Sequence, residues 1–172
     1  MLKKLLVLAV LSSAAGIAAD ARAGMSYIGF TAGSSKARID NGGGKWNTGS
    51  AMEWSANFGL SLPIPLVPVR AEVEYAQYDV KDIKFTGYGV NAYVGLPLLP
   101  VVKPYLGLGI SNLDPDKSGL DSKMTTHYMA GLDLDLPMLP VAAGLEYRYI
   151  PYGNNGVDVD ISSVMLKGRL YF

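Results

Sequence analysis

The sequence predicts an all-β chain whose eight antiparallel strands close up-and-down into a transmembrane β-barrel. Three observations predict it. One short apolar turn recurs three times, as Ile64-Pro65-Leu66-Val67-Pro68-Val69, Leu96-Pro97-Leu98-Leu99-Pro100-Val101 and Leu136-Pro137-Met138-Leu139-Pro140-Val141. Proline lacks an N–H and fixes φ, so a pair of prolines stops a strand and forces a turn. Every segment flanking these turns alternates apolar and polar residues, the period-two signature of a strand. Each alternating segment runs about ten residues, the length of a tilted membrane strand.

The strands follow in order. In the first, about Ser26 to Lys36, Ile28, Phe30 and Ala32 oppose Tyr27, Gly29, Thr31 and Gly33. The second sets Trp54, Ala56, Phe58, Leu60 and Leu62 against Glu53, Ser55, Asn57, Gly59 and Ser61. Val69, Ala71, Val73 and Tyr75 then oppose Arg70, Glu72 and Glu74, and Tyr88 to Leu96 repeat the alternation around Gly89, Asn91, Tyr93 and Gly95. The fifth strand sets Leu106, Leu108 and Ile110 against Lys103, Tyr105, Gly107 and Gly109, with Pro104 near its start. In the sixth, Tyr128, Ala130, Leu132 and Leu134 oppose His127, Met129, Gly131, Asp133 and Asp135. Val141, Ala143, Leu145, Tyr147 and Tyr149 oppose Gly144, Glu146 and Arg148 in the seventh, and Val164, Leu166, Leu170 and Phe172 oppose Ser163, Lys167, Arg169 and Tyr171 in the eighth.

Which solvent meets which face decides the class. One face is continuously aliphatic and aromatic. The other carries Glu53, Arg70, Glu72, Glu74, Lys103, Asp133, Asp135, Glu146, Arg148, Lys167 and Arg169 among small residues. A soluble barrel, such as a secreted lipocalin, would turn the charges outward. An eight-stranded barrel is just wide enough to be filled by side chains, so glycines and paired charges suit its lumen. An apolar band of this length suits a lipid-facing exterior. Six acids facing five bases implies pairing, because an unpaired buried charge costs several kcal/mol.

Trp54, Tyr75, Tyr78, Tyr88, Tyr128, Tyr147, Tyr149 and Tyr152 cluster toward the strand ends away from the proline turns, where an interfacial aromatic girdle would sit. Four polar loops are expected at that rim, over about 37–50, 79–84, 112–123 and 153–158, with glycine in the first, third and fourth.

Residues 1–23 read as a cleaved secretory signal: Lys3 and Lys4, an apolar stretch from Leu5 to Ala19, then Ala21-Arg22-Ala23. Residues 24–172 form the single barrel domain. Removing the signal takes Lys3, Lys4 and Arg22 from the 15 basic residues and Asp20 from the 15 acidic ones, leaving 12 and 14. This near balance gives no sign of a nucleic-acid partner. With no cysteine, disulfides and thiolate metal sites are excluded.

On these features the chain resembles the small eight-stranded outer-membrane β-barrel proteins: the OmpA transmembrane domain, OmpX, and the opacity-type and NspA-like surface proteins. The ending Gly168-Arg169-Leu170-Tyr171-Phe172 is similar to the family's C-terminal assembly signal, with Gly168, Leu170 and Phe172 on the matching positions. The resemblance implies localisation in a Gram-negative-type outer membrane, with lipid, periplasmic chaperones and the barrel-assembly machinery as partners.

The expected function is structural or surface-interacting, through four exposed loops over a charge-plugged lumen. A narrow channel for small solutes or ions is the alternative. A lipid-modifying enzyme is a third reading, since lipid A deacylation and palmitate transfer occur on such barrels. His127, the single histidine, lies at the right height for such chemistry, but its parity points it inward and no His-x-Ser follows it. Asp114, Asp116 and Asp121 lack the remaining ligands of a calcium loop. No enzymatic activity and no cofactor is expected.

Overall fold

A computed structural model describes residues 24–40, 44–47, 49–62, 64, 67–80, 83–96, 101–116, 122–136, 139–154 and 157–172. The predicted signal segment, Asp121, and parts of the three proline turns and four loops lie outside these residues. The strands are β1 (Ser26–Asp40), β2 (Lys45–Asn47), β3 (Ala51–Leu62), β4 (Val69–Val80), β5 (Ile83–Gly95), β6 (Val102–Pro115), β7 (Lys123–Asp135), β8 (Val141–Asn154) and β9 (Val157–Tyr171).

Eight of these form a closed antiparallel barrel. Each strand from β3 onward pairs with the next, and β9 returns to β1 from Tyr27↔Tyr171 to Asp40↔Asp158. Closure leaves no sheet edge in the wall, as a membrane span requires. Where proline removes donors at the turn rim, carbonyls carry the ladder on. Pro68 O accepts from Gly95 N, Pro104 O from Leu96 N, and Pro140 O from Tyr171 N, each at 2.7 Å.

The loop rim differs from the expectation. β1 continues past Lys36, and β2 folds back on it from Arg38↔Asn47 to Asp40↔Lys45, so ladder occupies part of the expected first loop. Paired backbone likewise runs through Asp79↔Lys84, Phe85↔Pro115 and Asn154↔Val157. Hydropathy does not mark these extensions, because here polar residues face outward to water while Phe85, Leu113, Tyr152 and Ile161 fill the inside, the reverse of the wall below.

At membrane level the apolar face of the eight wall strands is outward. Leu60 is 44 % exposed, Leu106 64 % and Leu132 46 %, which is the reverse of a soluble core. Outward rings touch around the wall: Phe30 stacks on Trp54 at 6.1 Å, Trp54 meets Tyr75 at 5.6 Å, and Tyr75 meets Tyr88 at 5.1 Å.

Tyr78 and Tyr152 correct the expected girdle, since both are buried inside the barrel. Each lies three residues beyond an outward tyrosine, Tyr75 or Tyr149, and an odd spacing along a strand reverses the face. They belong to an apolar cluster under the loop rim, with Phe85, Leu113, Ile150 and Ile161.

One ladder is short. β7 and β8 pair only from Asp135↔Ala142 up to Tyr128↔Tyr149. Beyond that level, side chains bridge the strands: Thr125 Oγ1 donates to Pro151 O at 2.7 Å, and Lys123 Nζ to Gly153 O. Pro151 has no N–H to give a ladder.

Candidate functional site

The lumen is built in layers by inward residues of alternating parity. Near the proline rim, Arg70 Nη1 meets Asp133 Oδ2 at 2.5 Å, Arg169 Nη2 meets Asp133 Oδ1 at 2.7 Å, and Lys103 Nζ meets Asp135 Oδ2 at 2.8 Å. One carboxylate thereby joins two guanidinium groups from β4 and β9. The Arg70 guanidinium also lies between the Tyr93 and Tyr105 rings, 5.2 and 5.1 Å from their centroids, a cation–π arrangement.

In the middle layer Lys167 Nζ donates to both oxygens of Glu72, at 2.9 and 3.0 Å, and to Tyr93 Oη at 3.2 Å. Glu72 also accepts from Tyr27 Oη at 2.7 Å, and Glu146 from Tyr105 Oη at 2.9 Å.

Above it, Arg148 reaches across the bore. Its two terminal nitrogens donate to Glu74 at 2.6 and 3.0 Å, and Nη2 also donates to Glu146 Oε1 at 2.9 Å. Glu53 Oε1 stands 3.9 Å from Nη1, and its other oxygen accepts from Ser163. Tyr78 Oη accepts a further Arg148 bond at 3.2 Å. All eleven sequence-nominated charges therefore face the lumen, each with an opposite charge within 4 Å.

Inward glycines make room for this packing. Tyr27 is ladder-paired with Gly59, Tyr93 with Gly107 and Tyr105 with Gly131. A Cβ on Gly59 would stand 2.3 Å from Tyr27 Cζ, and one on Gly131 would stand 2.5 Å from Tyr105 Cζ. Each ring lies over the bare backbone of its partner strand.

His127 is 2 % exposed and faces the lumen. Its Nε2 is 2.8 Å from Asn91 Oδ1 and its Nδ1 is 3.4 Å from Ser111 Oγ. Asn91 Nδ2 in turn donates to Glu74 at 2.5 Å. Sequence reasoning missed Ser111 and Asn91, which come from β6 and β5. The one available signal was that they share inward parity with His127. The cavity beside them is about 10 Å³, room for about one water and no substrate.

In the third expected loop, Asp116 closes the β5–β6 hairpin: its Oδ1 accepts from Lys84 N, and its own N–H donates to Lys84 O, both at 2.9 Å. The residues of the C-terminal motif sit on the outer face. Gly168, Leu170 and Phe172 point to the lipid side, and the Phe172 ring lies 6.5 Å from that of Phe58.

The family model described as the outer membrane protein beta-barrel domain matches residues 5–169. The chain belongs to that family. It is an outer-membrane β-barrel, and its solved neighbours share the fold. The crystal structure of Neisserial surface protein A superposes with a TM-score of 0.66 at 21 % identity, covering 86 % of this chain and 97 % of that one. Ail, the attachment invasion locus protein of Yersinia pestis, gives 0.55 at 20 % identity, covering 87 % and 99 %. OprG from Pseudomonas aeruginosa gives 0.54 at 18 % identity, covering 88 % and 97 %. No curated protein matches the sequence.

Proposed function

We propose that this outer-membrane barrel is a structural and surface-interacting protein whose lumen is plugged by its own charges and conducts no solute. The observation that carries this reading is the span of Arg148, which ties Glu74 on β4 to Glu146 on β8 across the bore. Lys167 and Glu72 bridge the bore again one layer below, and the apolar cluster around Tyr78 and Phe85 roofs it. The small size of the lumen hollows supports the same reading: about 40 Å³ at the proline rim and about 10 Å³ beside His127.

The outer rim then carries the interactions, on hairpins stiffened by the ladder extensions. We assign His127 a packing role, since its ring is enclosed and its hydrogen bonds go to lumen side chains. The N-terminal segment is proposed as a cleaved export signal. Gly168, Leu170 and Phe172 are proposed as the strand-end motif recognised by the barrel-assembly machinery, after periplasmic chaperones deliver the chain. No metal or cofactor has a role in this reading.

Planar-bilayer recording of the purified protein tests the plug. The expected trace is flat, without stable steps. Long-lived openings of the unaltered protein would favour the narrow-channel alternative.

A further inference from the structure

A single row of ladder-paired, outward positions crosses six of the eight wall strands. It runs Ala92↔Leu108, Leu108↔Tyr128, Tyr128↔Tyr149, Tyr149↔Ser162 and Ser162↔Lys36. The row climbs because the strands tilt. Ala92 lies three residues from the proline-rim end of β5, and Lys36 four from the loop-rim end of β1. Five strand spacings make the path about 24 Å long.

Its chemistry changes once along that path. The lower part is a trough of about 640 Å³, lined by Ala92, Leu108, Tyr128, Ala130 and Tyr147, in which the two alanines leave a furrow between larger side chains. The upper part is a polar hollow of about 840 Å³ around Lys36, Arg38, Asn47, Asp160 and Ser162. Tyr149 lines both and joins them.

The hollow holds two cations and one acid, a net charge of one positive: Asp160 is the ladder partner of Arg38 and accepts from Tyr149 Oη at 2.8 Å. Among the described residues, neither Lys36 nor Arg38 has an ion-pair partner, whereas every lumen cation has one. The two side chains stand just above the tyrosine level, where headgroup phosphates lie.

We propose that this row is a docking site for a phosphate-bearing lipid of the surrounding leaflet. Its phosphate sits against Lys36 and Arg38, and one acyl chain lies in the trough past Tyr149 toward Ala92. The site rests on the barrel spanning a membrane. It adds that one stretch of the wall selects among lipids.

Native mass spectrometry of the detergent-solubilised barrel tests this with three probes: phosphatidic acid, the diacylglycerol with the same chains, and inorganic phosphate. Phosphatidic acid should be retained at least tenfold better than the diacylglycerol. Removing both cations with K36Q/R38Q should abolish that preference, at roughly fivefold per charge. Ala130→Phe, which fills the trough, should weaken both lipids equally.

Equal retention of the two lipids, or a preference that survives K36Q/R38Q, would overturn the site. Displacement of phosphatidic acid by millimolar inorganic phosphate would reassign the hollow to a free anion and overturn the lipid. Heat-modifiable gel mobility and insertion into vesicles are scored on the same samples. Failure to insert counts against the membrane-spanning reading, and insertion without lipid selectivity counts against the site alone.

Discussion

Arg148 holds Glu74 through both of its terminal nitrogens, at 2.6 and 3.0 Å, and keeps Glu146 and Glu53 within 4 Å at the same time. One cation thus faces three carboxylates above the middle layer, sharing Glu146 with Lys167, whose Nζ is 3.6 Å from Glu146 Oε2. Replacing it by alanine leaves those acids buried together. Arg148→Ala should destabilise the folded barrel by about 3–5 kcal/mol, the usual cost of removing one partner of a buried pair. Urea titration in vesicles, followed by tryptophan fluorescence, reads this directly. A loss below about 1 kcal/mol would mean that water, not Arg148, solvates the acids.

Steric fit at the glycine–tyrosine pairs gives a second prediction. Gly59→Ala places a methyl 2.3 Å from Tyr27 Cζ, and overpacking of this kind costs about 1–3 kcal/mol. Trimming the ring should return much of that cost, so Gly59→Ala combined with Tyr27→Ala should be less damaged than the sum of the single variants. Strict additivity in the double-mutant cycle would rule out the contact.

A third prediction concerns the outer face. Leu106 is 64 % exposed at mid-wall on β6. Leu106→Arg should lower folding free energy in a bilayer by about 2–4 kcal/mol, as charges at the midplane of barrels do. Lys84→Glu, at the loop rim, should leave it nearly unchanged. Equal tolerance at both positions would be incompatible with lipid around Leu106.

His127→Ala separates packing from chemistry. The substitution removes the partner of Asn91 and Ser111, so stability should fall by about 1–3 kcal/mol, the cost of leaving buried polar groups unsatisfied. The lipid A mass profile of cells carrying the variant should match that of cells carrying the unaltered protein. A profile that shifts without His127 would reopen the enzymatic reading.

The last prediction concerns biogenesis. Phe172→Ser should reduce the heat-modifiable species recovered from outer membranes several-fold. The protein refolded in detergent should keep its mobility shift, because the Phe172 side chain is largely exposed on the outer face, its ring 6.5 Å from that of Phe58. Equal loss in both assays would mark Phe172 as structural, with no separate role in assembly.

The strands and their two faces were legible because lipid on one side and packed charge on the other force strict alternation. The charged lumen residues were found for the same reason. Partner choice was not legible: Arg148 meets Glu74 from a strand 74 positions away, and only the register of the closed sheet sets that distance. Tyr78 and Tyr152 were misplaced although parity alone assigns them inward, because height along the strand was weighed and face was not. The ladder extensions at the loop rim and the short β2 had no hydropathy signature. There the apolar side chains turn inward and the polar ones outward, and this change of face interrupts the alternation that marks a wall strand.

The glycine–tyrosine pairs fix the calibre of this tube from two neighbouring strands at once. Shaving one ring uncovers a bare strip of main chain without enlarging the passage, and restoring bulk opposite an intact ring jams it. A conducting descendant would need coordinated replacements on several paired strands, together with removal of the ionic bridges above them. Adding a hairpin to the circumference is the shorter route to a wide opening, so on the proposed plugged reading no single substitution would open this architecture.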